Sequence, residues 1–180
     1  MTGKPLAFFT PAAWPADEAE RQAAVDSIDY AAAAADPRLA EIVARTAELF
    51  GTSSAVLSIV DRDRQNWVVR FGREETGTPR AISFCGHVVA SPDAVLTVPD
   101  ATADPRFAAN PIVTAGNLRF YTGAPLLSEG MPLGALCTSD TVARPVIDPV
   151  AQAELARMAD EAAAILSRYP RQRPETADED

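Results

Sequence analysis

The sequence predicts an α+β domain in which an antiparallel sheet carries helices to one side. Two observations predict it. Strand-like segments come in pairs joined by short polar links, at 61–64 and 128–130, which marks hairpins rather than regular βα alternation. Helical stretches stand before the first pair and after the last, each opened by an Asp-Pro step, Asp36-Pro37 and Asp148-Pro149. At roughly 150 residues per domain, a chain of 180 residues is one domain with extensions.

Residues 1–16 are rich in proline and read as an arm. The domain proper, including its flanking helices, is expected over 17–169. Residues 17–30 read as a short helix, with Asp17 as cap and Glu20 three residues on. After Asp36-Pro37, the residues Leu39, Ile42, Val43, Thr46, Leu49 and Phe50 recur at helical spacing, and Gly51 stops the helix. Residues 55–61 are apolar on both faces apart from Ser58, which predicts a central strand. Residues 65–71 alternate, with Trp67, Val69 and Phe71 on one side, and 72–79 read as a loop. Ser83 caps a short helix through Ser91, ended by Pro92, and 95–98 form a short strand. Residues 99–117 read as a structured loop, in which Asp104-Pro105 and Asn110-Pro111 are two further cap-plus-proline starts. Residues 118–126 and 133–139 form the second hairpin. The last helix runs from Pro149 to about Tyr169, Pro170 ends it, and 170–180 read as a charged, disordered tail.

Composition removes several function classes. Hydrophobic residues make up 47% and charged residues 23%, which fits a globular domain able to bury a core without staples. The formal charge of −9 argues against nonspecific nucleic-acid binding and against anionic membranes. No stretch approaches the ~18 apolar residues of a spanning helix. With 2 cysteines and no export signal, a reducing cytoplasm is expected.

Four segments carry a resemblance: PRAISFCGHVV (79–89), VPDATADPRFAANPIVTAG (98–116), LRFYTGAPL (118–126) and LGALCTSD (133–140). As a set they resemble bacterial GAF domains, which are ligand-sensing relatives of PAS domains, and the likeness covers about residues 17–168. The resemblance implies a six-stranded antiparallel sheet flanked by helices, with the N- and C-terminal helices packed together. It also implies a pocket between the sheet and the segment after the third strand. Such domains sense a small molecule or serve as dimerisation modules, and pass the signal to an output domain; the resemblance identifies no ligand and leaves any cofactor unknown. Only a short tail follows Leu166, so a free-standing sensor, or one working through a separate output protein, is expected. Thr138-Ser139 and the alanine run 31–35 depart from the family pattern.

The residues able to carry chemistry are few. His87 is the only histidine, and Cys85 two positions before it does not share its helix face. A zinc site wants about four ligands, so His87 reads as packed or hydrogen-bonded, and no metal is expected. Cys85 and Cys137 read as free, packed thiols; the alternative is a redox pair, as in free methionine sulfoxide reductases, which are GAF enzymes. The reactive cysteines of those enzymes cluster in the loop segment, and 99–117 holds none. Neither cysteine is followed by the histidine typical of bilin attachment. Asp104 and Asn110 read as caps, and Asp100 is expected to pair with Arg106; the functional reading closes this loop over the pocket, with Arg106 meeting an anion. Arg119 and Tyr121 share a strand face, where Arg119 can bind a carboxylate or phosphate or pair internally with Asp100 or Asp104. Trp67 and Phe84 read chiefly as core, with Phe84 kept in the candidate site.

The expected function is a sensor that binds a small, polar molecule without converting it, and so no enzyme. Its candidate ligand-binding set is Phe84, His87, Asp100, Asp104, Arg106, Asn110, Arg119, Tyr121 and Cys137. The alternatives are a thiol-dependent redox enzyme or switch using Cys85 and Cys137, and a structural dimerisation module without ligand. A homodimer is expected through the terminal helices. In the last helix Ala151, Leu155, Met158, Ala162, Ile165 and Tyr169 recur at spacings of four and three, the pattern of a coiled-coil seam.

Overall fold

The computed structural model describes residues 8–144 and 147–172. The expected arm and tail extend outside the described residues at 1–7 and 173–180. Three helices lead in: α1 (Glu18–Asp26), α2 (Tyr30–Ala33) and α3 (Pro37–Phe50). The hairpin of β1 (Ser54–Asp61) and β2 (Arg64–Phe71) follows, then β3 (Gly77–Pro79), a 3-10 turn at Arg80–Ile82 and α4 (Phe84–Ala90). Next come β4 (Leu96–Val98), α5 (Pro111–Thr114), the hairpin of β5 (Phe120–Ser128) and β6 (Met131–Asp140), and α6 (Pro149–Leu166). The six strands form one antiparallel sheet in the order β3-β2-β1-β6-β5-β4, the α+β fold expected.

Local chemistry sets most of these boundaries. The side chains of Asp36, Ser83, Asn110 and Asp148 each accept a backbone N–H in the first turn of α3, α4, α5 and α6. Proline fills the first turn of α3, α5 and α6, where its missing N–H has no partner to lose. Gly51 ends α3 at φ 59°, a left-handed conformation that a side chain disfavours. Asp17 precedes α1 but its side chain makes no capping bond, so the expected capping box is absent. Asp104 accepts the N–H of Arg106 at 2.9 Å in a turn, where a short helix was expected.

The sheet is covered on both faces rather than one. On the first, Ala55, Leu57 and Ile59 of β1 and Leu133 of β6 pack with Leu39, Ile42 and Val43 of α3 and Leu155 and Met158 of α6. On the second, Val56 and Val60 pack with Phe84, Val88 and Val89 of α4 and with Phe107 from the 99–117 segment. β1 lies between β2 and β6 with its apolar residues buried on both sides, as its pattern predicted. The N- and C-terminal elements meet where Asp29 donates its N–H to Tyr169 (2.8 Å) and Arg171 to Ser27 (2.8 Å).

One strand departs from simple alternation. Leu57 faces Val69 while Ser58 faces Trp67, so β2 holds an extra residue, Val68, as a bulge. The bulge reverses the strand's facing. Val69 packs on the α3/α6 side and Trp67 on the α4 side, not together as the sequence suggested. Among the described residues no helix is long and apolar enough to cross a membrane.

Candidate functional site

The second face of the sheet holds a cavity of about 160 Å³ beneath α4 and α5. Val56, Trp67, Phe84, Ile112, Leu118 and Tyr121 supply apolar and aromatic walls. Gln65, Arg73, Glu75, Thr78, Asn117 and Ser139 supply polar groups, and Gly77, Cys85 and Cys137 complete the lining.

Each wall residue is placed by its element. Alternation from Gln65 along the hairpin puts Trp67 on the cavity side ahead of the bulge, and its Nε1–H is buried with no hydrogen-bond partner among the described residues. The guanidinium of Arg73 lies 5.3 Å from the Trp67 ring centroid and donates to Ser54 Oγ (3.2 Å) and Ser139 Oγ (3.0 Å). Among the described residues Arg73 forms no ion pair. A cation held in a pocket by neutral hydroxyls keeps its charge available for an anion. Phe84 stacks on Phe107 at 4.1 Å and leans on Tyr121 at 5.1 Å, so the three rings pack as one aromatic wall.

Tyr121 reaches the thiols because the strand position two residues on is glycine. A Cβ at Gly123 would overlap Tyr121 Oη, so only glycine lets the ring lie flat across β5. From there Tyr121 Oη sits 3.2 Å from Cys85 Sγ. Gln65, fully buried in β2, donates Nε2–H to the same sulfur at 3.0 Å, while its Oε1 accepts from Thr78 at 3.3 Å. The Cys137 sulfur lies 3.6 Å from that of Cys85. Burial favours a neutral Cys85, but the hydrogen bonds from Cys137, Ser58, Tyr121 and Gln65 outweigh it and pull its pKa down. Cys137 is pushed well up, by its hydrogen bond to Cys85 and by burial. Burial also holds the Tyr121 phenol neutral, far above its ordinary range.

Three of the nine expected ligand residues, Phe84, Tyr121 and Cys137, meet at this cavity. His87 and Arg106 line a different one, of about 360 Å³, between residues 10–13 and α4. There His87 Nε2–H donates to the carbonyl of Thr10 at 3.0 Å, and burial lowers its pKa. Asp100 pairs with Arg119 and Asp104 with Arg106, correcting the expected Asp100–Arg106 pair. Asn110 is buried and bridges the carbonyl of Ile82 (2.9 Å) and the N–H of Ile112 (3.0 Å). Arg119 shares a face with Tyr121 by alternation, but it sits at the strand end and folds outward onto Asp100. The polar lining residues the sequence reading missed are Gln65, Arg73, Glu75, Thr78, Asn117 and Ser139. The signal for Gln65 is its place two residues before Trp67, on the same strand face; Arg73, in a loop, offers none.

The family profile of the GAF domain matches residues 35–166. The chain belongs to the GAF family. This GAF chain is 38% identical over 157 residues to a cyclic di-GMP phosphodiesterase of Pseudomonas aeruginosa; the match covers 86% of the chain and 26% of that relative. The chain thus spans about a quarter of the length of the curated relative it matches. That relative corrects the expectation of no enzyme, because its name points to one. Among solved structures, the fold resembles type II free methionine-R-sulfoxide reductase from Thermoplasma acidophilum, with TM-score 0.62, 13% identity, and 79% of this chain and 98% of the other covered. It also resembles the GAF domain of a phosphoenolpyruvate-protein phosphotransferase from Coxiella burnetii, with TM-score 0.59, 16% identity, and 83% and 92% covered. At these identities the likeness is one of fold alone.

Proposed function

We propose that this GAF domain is the sensory module of a cyclic di-GMP phosphodiesterase system. In this reading the cavity under α4 binds a small molecule bearing an anionic group, and its occupancy sets the phosphodiesterase activity. The observation that carries the reading is Arg73, which lines an aromatic-walled cavity and pairs with no carboxylate among the described residues. The unpartnered Trp67 Nε1–H supplies a second donor beside it. Size narrows the ligand. A cavity of about 160 Å³ matches the ~150 Å³ that accommodates one benzene ring, so the enclosed part of the ligand has the bulk of a single ring. A cyclic dinucleotide is several times larger and fits the role of substrate elsewhere in such a system. The 38% relative supports the link to that chemistry.

Native mass spectrometry of freshly purified protein tests the reading. The expected result is an added small mass that disappears in Arg73→Ala. Retention of that mass by a folded Arg73→Ala variant, or wild-type protein bare even from fresh lysate, would count against it.

A further inference from the structure

The ligand reading rests on Arg73 and Trp67 rather than on the two thiols that also line the cavity, and the surroundings of those thiols are not those of packed cysteines. Cys85 enters from the first turn of α4 and Cys137 from the middle of β6, and the fold brings them into van der Waals contact at 3.6 Å. No third atom separates them. A disulfide needs the sulfurs at about 2.05 Å, so a closing movement of about 1.5 Å would join them. A thiol is a weak acceptor, yet Cys85 draws the amide of Gln65 at 3.0 Å and lies beside the hydroxyl of Tyr121 at 3.2 Å. Burying the Gln65 amide against a sulfur is costly unless that sulfur carries negative charge. The Gln65 oxygen meanwhile accepts from the Thr78 hydroxyl at 3.3 Å, which favours the orientation that points the amide N–H at the sulfur. The second sulfur, on Cys137, has a resolving partner's position and a neutral thiol's environment. Both residues line the cavity, which gives a small oxidant a route to them.

We propose that Cys85 and Cys137 are an oxidation site, at which a hydroperoxide forms an intramolecular disulfide in the cavity wall. The Cys85 thiolate attacks one peroxide oxygen; an S–O bond forms, the O–O bond breaks, and the departing oxygen leaves as hydroxide or alkoxide and takes a proton from water. Cys85 is then a sulfenic acid. Cys137 attacks the Cys85 sulfur; the S–S bond forms, the S–O bond breaks, and the oxygen leaves as water with the proton that Cys137 gives up. In sum, two thiols lose two electrons, and one hydroperoxide gains them to become water and an alcohol, or two waters for hydrogen peroxide. A small dithiol reverses the step by exchange. The new bond removes the sulfur acceptor that Gln65 and Tyr121 share and draws α4 towards β6. Disulfide formation does not rest on the function proposed above.

The test uses the full chain and hydrogen peroxide. The wild-type protein is expected to lose two hydrogens in intact mass and gain no oxygen. It should also yield a non-reduced peptide linking Cys85 to Cys137, and return to the starting mass with dithiothreitol. In Cys137→Ser, Cys85 should stop at the sulfenic acid and be captured by dimedone, whereas Cys85→Ser should leave Cys137 unlabelled over the same time. Addition of whole oxygens to wild type without the linking peptide would overturn the proposal. So would an unchanged mass in excess peroxide, or Cys137 labelling as fast in Cys85→Ser as Cys85 does in Cys137→Ser. The wild-type mass decides even if a variant folds poorly. A bare cavity in the native mass spectrum with the disulfide formed would sink the ligand reading alone.

Discussion

Arg119 holds Asp100 with both prongs of its guanidinium, Nε–H to Oδ1 at 3.2 Å and an Nη–H to Oδ2. Asp100 also accepts the N–H of Thr102 at 3.0 Å and its hydroxyl at 2.6 Å, and Arg119 in first place holds this carboxyl well below the usual range. The arginine is committed to pinning the 99–117 segment against the start of β5. It lies at the surface, 42% exposed, so solvent screens the pair. Arg119→Ala should therefore shift the melting temperature only slightly and leave any co-purified ligand in place. Arg73→Ala should do the reverse, with little change in melting and loss of the ligand. Melting curves and native mass spectra of the two variants, side by side, separate these roles.

A second ion cluster carries more of the fold. Glu18 of α1 accepts from Arg21 (2.8 and 2.9 Å) and from Arg80 (2.6 and 3.1 Å). Both arginines are buried, Arg21 also donating to the carbonyl of Pro132 and Arg80 stacking on Trp14 at 3.9 Å. One carboxylate thus ties α1 to β6 and to the turn before α4. Glu18→Gln leaves two buried guanidiniums without a counter-charge and should cost about 3 kcal/mol in urea unfolding.

The same carboxylate gives a pH signature. Burial raises the Glu18 pKa, but the hydrogen bonds and charges of Arg21 and Arg80 outweigh it and set the value at about 2. A folded-state pKa below the ordinary 4.5 means that the unfolded chain binds the proton more readily. The stabilisation is complete above pH 4.5 and is lost as pH falls through about 2. Denaturant midpoints across that window should fall less steeply for Glu18→Gln than for wild type.

At Gly123 the prediction concerns shape. An alanine Cβ there would collide with Tyr121 Oη and also lie 3.1 Å from the Cys137 Cβ. The ring must lift from the strand, which costs about 1–3 kcal/mol of overpacking and breaks its contact with Cys85. Gly123→Ala should lower the melting temperature and slow alkylation of Cys85 at neutral pH, since one of the hydrogen bonds that lower its pKa is gone. Unchanged alkylation in the folded variant would remove Tyr121 from the thiol's support.

The parts of the fold legible in sequence are those that local chemistry decides. Asp36-Pro37, Asn110-Pro111 and Asp148-Pro149 start helices because cap and proline act within one turn. The doubly apolar β1 can sit only inside a sheet. Illegible were features set by distant partners. β3 is three residues long, without pattern, and exists because Gly77 and Thr78 find β2. The bulge at Val68 adds no residue type of its own, yet it leaves Trp67 on the cavity side with Gln65 while turning Val69 to the other face. Arg73 enters the site only because Ser54 and Ser139 stand side by side across β1 and β6. For Asp100, Asp104, Arg106 and Arg119 the sequence named the charges, but which pairs form depends on how the 99–117 segment folds back on β5.

The apolar stripe of α6 raises the last prediction. Its spacing resembles a coiled-coil seam, and four of its six positions, Leu155, Met158, Ala162 and Ile165, are buried within the chain itself. They pack with α3 and with Ala124 and Leu126 of β5, in the cluster that fills the first face of the sheet. A heptad-like pattern and a sheet-facing helix share the same i, i+3, i+4 spacing, so sequence cannot separate them. Burial of these four positions within one chain favours the core reading. An aspartate at position 165 would put an unpaired charge into that core, at a cost of about 4 kcal/mol or more. Ile165→Asp should therefore unfold the domain, with loss of the cooperative thermal transition and of near-ultraviolet circular dichroism. Light scattering at micromolar concentration on the wild type gives the complementary reading. If wild type is a dimer and Ile165→Asp a folded monomer, the stripe is an interface; an Ile165→Asp chain that loses its tertiary structure identifies it as core.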